Sequence, residues 1–329
     1  MCTFENSTLA SEHALKIIYN TVGVIEFEMH LLGFYIIIFK TPEIMRSLKW
    51  NMLNFHFWCF IYNISIALIK PFFIHPSLCA YPAGMAQGLL PTWIYANIFN
   101  GCNVVVKLAI LSFFENRYDK IVIGDQRSAY RNYYRFAFYA LQTIAPLLFM
   151  APAVLASVDQ QPAIIQAAKE MLPCIPDSIM NHPYMYCFAT SDSTIISYFI
   201  TETIFATELT YLIYCTLRCF SRATSMSEAA KRLQRPIYTA ICIQMGVPVI
   251  GIAGPNAYFL FSIGTGYYNQ TFNNMVFVTL QSHGFTSTLA MLLVHKPYRK
   301  AVLDIIPLKI RALTGKPTGS SVMVSPTIS

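Results

Sequence analysis

The residues with the most chemistry to offer are ionisable side chains set inside long apolar runs. Glu26, Glu28 and His30 interrupt "TVGVIEFEMHLLGFYIIIF", Lys107 interrupts "NVVVKLAIL", Glu208 interrupts "FATELTYLIY" and His283 interrupts "VTLQSHGF". In hydrocarbon such groups are costly, so each marks an ion pair, a proton relay or a substrate path. Glu26 and His30 are four apart and share one helix face. Counted from the more basic end of each run, Glu28, His30, Lys107, Glu208 and His283 fall in one layer, roughly 10–17 Å deep at about 1.5 Å per residue. The plainer role for this layer is helix-to-helix glue, at ~0.6–2 kcal/mol per contact. A channel or transporter using the layer as an ion or proton path is the alternative reading of function.

A second cluster is Glu115-Asn116-Arg117-Tyr118, which closes the run "NVVVKLAILSFF". An acid beside an arginine at a helix exit is suited to a switch, although helices leaving lipid commonly end in charge. Glu115 and Arg117 are two apart and project about 200° from one another on a helix. Arg117 is therefore expected to be held from another helix. Lys231, Arg232 and Arg235 give a second basic exit, "KRLQR". No Cys/His cluster has metal spacing, and no nucleophile, glycine-rich or paired-carboxylate motif stands out. The expectation is a protein that is not an enzyme, with no cofactor, no metal and no nucleic-acid partner.

These residues need helices in lipid to position them. Of 329 residues, 55% are hydrophobic and only 12% charged, about half the charge of an ordinary soluble domain. Mean hydropathy is +0.47. Seven runs reach the ~20 apolar residues a span needs: Leu15–Phe39, Asn51–Phe73, Thr92–Phe114, Tyr134–Ser157, Thr194–Leu217, Pro236–Ile263 and Asn273–Val294. Each is read as a helix, because only helices and closed barrels satisfy their backbone in lipid. The first span is expected to serve as its own insertion signal. Nineteen of the 23 lysines and arginines fall in the loops 40–50, 115–135 and 218–235 and in the tail from residue 296. That asymmetry predicts an outside N-terminus and a cytoplasmic tail. Asn6-Ser7-Thr8 is then an exposed glycosylation sequon.

Thr41-Pro42-Glu43 reads as the start of a short helix. Ser225-Met226-Ser227-Glu228 reads as a capping box ahead of span six, whose Pro248 and Pro255 suggest a hinge. Residues 295–312 read as an amphipathic helix on the membrane surface, and 313–329 as a disordered cytoplasmic tail. Tyr81, Trp93, Tyr95, Phe99 and Asn100 are placed to line a small-molecule pocket under the outer loops. Of nine cysteines, Cys79, Cys174 and Cys187 lie outside, in oxidising space. Cys79–Cys174 is slightly favoured over Cys79–Cys187, and Cys2 remains a further partner.

Seven helices with the N-terminus out resemble the G-protein-coupled receptors. More specifically, "GFYIIIFKTPEIMRSLKWNMLNFHFW", "YPAGMAQGLL", "FFENRY", "LPCIPD" and "LQSHGFTSTLAMLLVHKPYR" resemble, in order, the motifs of the nematode serpentine chemoreceptors of class H. The resemblance runs from about Tyr19 to Arg299. One departure is "EFEMH", where Glu28 replaces an expected proline, so span one is expected to be straighter. The resemblance implies a plasma-membrane chemosensory receptor, at a sensory cilium, that binds an environmental or pheromone-like small molecule and acts through a heterotrimeric G protein. It also implies that Glu115, Asn116, Arg117 and Tyr118 form the coupling switch. Helices packed as in rhodopsin-type receptors would pair Lys107 with Glu208, and Glu26 or Glu28 with His283.

Overall fold

In the computed structural model, which describes residues 7–124, 128–189, 192–222 and 228–314, hydropathy dictates a bundle of long helices. They are α1 (Glu12–Lys40), α2 (Arg46–Ile69), α3 (Thr92–Tyr118), α4 (Arg131–Val158), then, past two short helices, α7 (Asp192–Arg222), α8 (Glu228–Thr265) and α9 (Gln270–Val294). The short ones are α5 (Gln161–Met171) and α6 (Asp177–Met180), and α10 (Lys296–Thr314) follows α9. The shortest of the seven long helices has 24 residues and spans about 36 Å, more than a ~30 Å hydrocarbon core. Five of them, α1, α2, α3, α8 and α9, are long and apolar enough to cross a membrane. The 28-residue α4 and 31-residue α7 pack with α3 in the same bundle.

Local chemistry fixes the helix ends. Ser11 caps α1 by accepting from the Ala14 N–H at 3.2 Å, and Asn269 caps α9 by accepting from Phe272 N–H at 2.8 Å. Such caps satisfy donors left bare by the first turn. Between α1 and α2 the expected cap differs. The Thr41 hydroxyl donates back to Ile37 C=O at 2.6 Å and meets Tyr298 Oη at 2.9 Å. A single 3₁₀ turn, Glu43–Met45, leads into α2 instead. α1 runs unbroken for 29 residues.

The second apolar run departs most from expectation. Hydropathy reads it as one helix to Phe73, but α2 stops at Ile69 and Lys70 takes a left-handed φ of 48°. Pro71 disfavours helical backbone in the residue before it and lacks an N–H of its own. The chain turns there into β1 (Pro71–Ile74) and returns as β2 (Cys79–Pro82), with β3 (Tyr186–Cys187) alongside. The sheet is antiparallel in the order β1-β2-β3, pairing Phe72 with Tyr81 and Cys79 with Cys187. It closes one end of the bundle, hereafter the sheet end. The loops rich in lysine and arginine lie at the other, the basic end.

Gly84 makes the turn out of β2 possible. A Cβ there would lie 2.1 Å from Leu68 O, and Gly84 N–H donates to Ile69 C=O at 2.9 Å. Tyr19, Tyr62, Phe113, Phe114, Tyr238 and Tyr298 fill the bundle interior. The C-terminal tail from residue 315, Asn6, Cys2 and the capping box at residues 225–227 lie outside the described residues.

Candidate functional site

A cavity of about 270 Å³ lies beneath the sheet, near the lower end of the ~300–1,000 Å³ usual for small-molecule sites. α3 forms its longest wall. Phe99, Asn100, Asn103, Val104, Lys107, Leu108 and Leu111 recur at three- and four-residue spacing along one face. Strand residues Phe73 and Tyr81 and the turn residue His75 form the roof. Tyr198, Glu202 and Phe205 enter from α7, Asn256 and Phe259 from α8, and Phe277 from α9. Aromatic rings dominate: Phe73 stacks with His75, Phe259 and Phe277 at centroid distances of 4.5, 6.4 and 5.2 Å. Burial pulls the His75 imidazole down from 6.5 to about 3, so it is neutral.

Of the residues expected to line a pocket, Tyr81, Tyr95, Phe99 and Asn100 do so. Trp93 does not; its carbonyl accepts from Asn97 at 2.8 Å. The cavity also reaches deeper than expected. Lys107 belongs to its floor, about 18 Å below Tyr95 along α3. Lys107 was expected to meet Glu208, yet its partner is Glu202, in a direct ion pair. Six residues separate the two acids, about 9 Å along α7, and Glu208 sits too far toward the basic end. Glu208 accepts instead from the Gln142 amide of α4. Sequence reasoning missed Glu202, Asn256 and, in the roof, Phe73 and His75. The α3 period was the available signal, because 100, 103, 104, 107, 108 and 111 follow one face.

The remaining members of the polar layer split. Glu26, His30 and His283 are buried where α1, α2 and α9 meet. Asn63 Nδ2 donates to His30 Nε2 at 3.1 Å, and His56 Nε2 donates to His30 C=O at 3.0 Å. Gly284 admits this contact, since a Cβ there would lie 2.3 Å from Asn63 Nδ2. His283 packs on Tyr62 at 5.1 Å and bonds Leu280 O rather than a carboxylate. Glu28 is exposed on the outer face of α1 and takes no part in the cluster. The expected pairing of Glu26 or Glu28 with His283 is not formed: Glu28 faces outward, and Glu26, two residues earlier and turned inward, does not reach the His283 ring.

At the basic end, Glu115 and Arg117 point to opposite sides of α3. Glu115 is held by α4: Arg131 Nη2 donates at 2.7 Å, Arg135 Nε at 2.9 Å and the Tyr139 hydroxyl at 2.8 Å. Asp119, fully buried, accepts from Arg131 Nε at 2.9 Å. Charge-assisted bonds of this kind are the strong ones. Arg117 faces α2. Its Nη2 donates to Ser47 C=O at 3.4 Å and Ser47 Oγ at 3.3 Å, its Nε has no partner, and the side chain is only 4% exposed. Asn116 and Tyr118 are half-buried, and Arg232 and Arg235 are exposed; the Lys231 side chain lies outside the described residues.

The disulfide joins Cys79 to Cys187. The favoured Cys79–Cys174 pairing gives way because β2 and β3 place Cys79 and Cys187 opposite one another. Cys174 is also disulfide-bonded.

The family model for the serpentine type 7TM GPCR chemoreceptor Srh matches residues 10–308. The chain belongs to the Srh family. It is 25% identical over 314 residues to serpentine receptor class H-72 of Caenorhabditis elegans, covering 92% of this chain and 89% of that protein. Its fold matches squid rhodopsin with a TM-score of 0.60 at 11% identity, over 94% of this chain and 89% of that one. This Srh chain is accordingly a multi-pass membrane protein of a receptor family and not an enzyme. Its fold puts the cavity and Arg117 on one helix, with Lys107 and Arg117 ten residues apart, about 15 Å along α3.

Proposed function

We propose that this chain is a chemosensory receptor of the plasma membrane, placed at a sensory cilium. It binds an environmental or pheromone-like small molecule in the cavity under the sheet and activates a heterotrimeric G protein at the basic end. The sheet end faces outside and carries the N-terminus with glycosylated Asn6. The tail and α10 lie in the cytoplasm against the inner leaflet.

The observation that carries this reading is Arg117. A buried guanidinium costs several kcal/mol unless a charge answers it, and no carboxylate among the described residues does so. One backbone carbonyl and one hydroxyl of Ser47 hold it. Such a hold is weak enough to release when α3 moves against α2. Glu115, locked to α4 by Arg131 and Arg135, acts as the fixed side of the device. Arg232 and Arg235 on α8, with Lys231, supply a basic rim for the G protein, and Asn116 and Tyr118 line the approach to it.

The test is expression of the full chain in cells with a second-messenger readout against an odorant and pheromone panel. Arg117→Ala is expected to abolish the ligand response at unchanged surface level. An intact response in that variant contradicts the coupling role. A ligand-evoked current that persists with G-protein signalling blocked contradicts the receptor reading itself.

A further inference from the structure

The polar atoms of the cavity define the charge class of its ligand. Its two formal charges, Lys107 and Glu202, already neutralise each other. A third charge must break that pair. An anion that takes Lys107 leaves the half-buried Glu202 carboxylate unanswered, and a cation that takes Glu202 strands the half-buried Lys107. Either outcome is unfavourable where the surrounding wall is mostly apolar.

Three further polar side chains face the cavity with hydrogen-bonding capacity unused, one of them His75 in the roof, whose ring nitrogens both lack a partner. Asn256 Nδ2, on a side chain 5% exposed, is a donor with no acceptor. Asn103 Oδ1, on a side chain 9% exposed, lies beside the Tyr62 hydroxyl, and neither makes a hydrogen bond of good geometry. Buried amide atoms in this state cost free energy that a ligand oxygen would recover. The rest of the lining is mostly aromatic and aliphatic; of its other polar side chains, Thr92, Asn97, Gln142 and Thr201 already make hydrogen bonds and Asn100 is half-buried.

We propose that the cavity is built for an uncharged, largely apolar small molecule bearing one hydroxyl or carbonyl oxygen. The carbonyl oxygen accepts from Asn256 Nδ2. A hydroxyl does this and also donates to Asn103 Oδ1. The Lys107–Glu202 pair stays intact beneath the ligand as a neutral floor. This inference rests on the reading of the cavity as the ligand site.

The test uses the full chain in lipid nanodiscs with four probes of one chain length: heptanol, heptanone, heptanoate and heptylammonium. Thermal melting reads binding, and Ala96→Trp, which fills the cavity from α3, corrects for partition into lipid. Heptanol and heptanone are expected to raise the melting temperature of the wild type but not of Ala96→Trp. The two ions are expected to act alike on both. Asn256→Leu is expected to weaken heptanone at least tenfold. If Asn256→Leu fails to fold, Asn103→Leu tests the same point with heptanol. Cavity-dependent binding of heptanoate or heptylammonium in place of the neutral probes overturns the charge class and leaves the ligand site standing. Equal behaviour of all four probes in wild type and Ala96→Trp overturns the ligand site, and the inference with it.

Discussion

Lys107 and Glu202 meet at the cavity floor, both half-buried, so removal of one partner leaves the other charge unanswered. Lys107→Met or Glu202→Met alone is expected to cost about 2 kcal/mol, between the exposed and the fully buried case, and the double variant to recover most of it. Thermal melts of the three variants check this, and additive losses would show the two residues do not interact. His295 offers a pH test at the far end of α9. Its Nε2 donates to Gln244 Oε1 of α8 at 2.9 Å, and burial pulls the imidazole down from 6.5 to about 4. The unfolded chain therefore binds a proton that the folded chain refuses between those values. The stability His295 contributes is full above pH 6.5 and is lost as pH falls toward 4. His295→Gln is expected to flatten that fall in melting temperature, and equal slopes would contradict it. The sequence made Glu115 and Arg117 legible as divergent, because helical phase alone separates residues two apart. It did not reveal Ser47 or Glu202 as partners. Those contacts depend on how helices rotate and slide, which one-dimensional periodicity leaves open.

The long helices were legible because lipid permits few backbone solutions, and apolar length then names them. The sheet was not. "PFFI" follows α2 after a single charged residue, Lys70, so window-averaged hydropathy reads through a boundary that Pro71 sets sterically. The Cys79–Cys187 disulfide follows from the sheet, and without the sheet the sequence could only weigh it as second to Cys79–Cys174. Two substitutions test the sheet end. Gly84→Ala places its Cβ against backbone, Leu68 O and Ile69 O at 2.1 and 2.8 Å, so no rotamer change relieves it. It is expected to cost about 2 kcal/mol, read as a lower melting temperature and reduced surface level. Wild-type behaviour would show that the turn adapts. Cys79→Ser opens a link between residues 108 apart. Loop-closure entropy for such a span is worth about 5 kcal/mol, so this variant is expected to melt well below Gly84→Ala. Cys187→Ser should match Cys79→Ser, and a milder effect from either would contradict the pairing.

At the scale of the molecule, two helices connect the cavity to the basic end. α3 carries Lys107 and Arg117. The 38-residue α8, about 57 Å long, carries Asn256 at the cavity and Arg232 and Arg235 at the exit, with Pro236, Pro248 and Pro255 between its ends. Prolines inside a spanning helix leave carbonyls without intrahelical partners and favour bending there. A ligand that favours one arrangement of α3 against α8 shifts the population of the other end by its difference in affinity for the two states. The most direct measurement of this claim is nucleotide exchange on a purified heterotrimeric G protein, driven by the receptor in nanodiscs with an agonist from the odorant and pheromone screen. The account predicts agonist-stimulated exchange in the wild type, lost both in Ala96→Trp at the cavity and in Arg117→Ala at the exit. Stimulated exchange that survives either substitution in a folded receptor would contradict it.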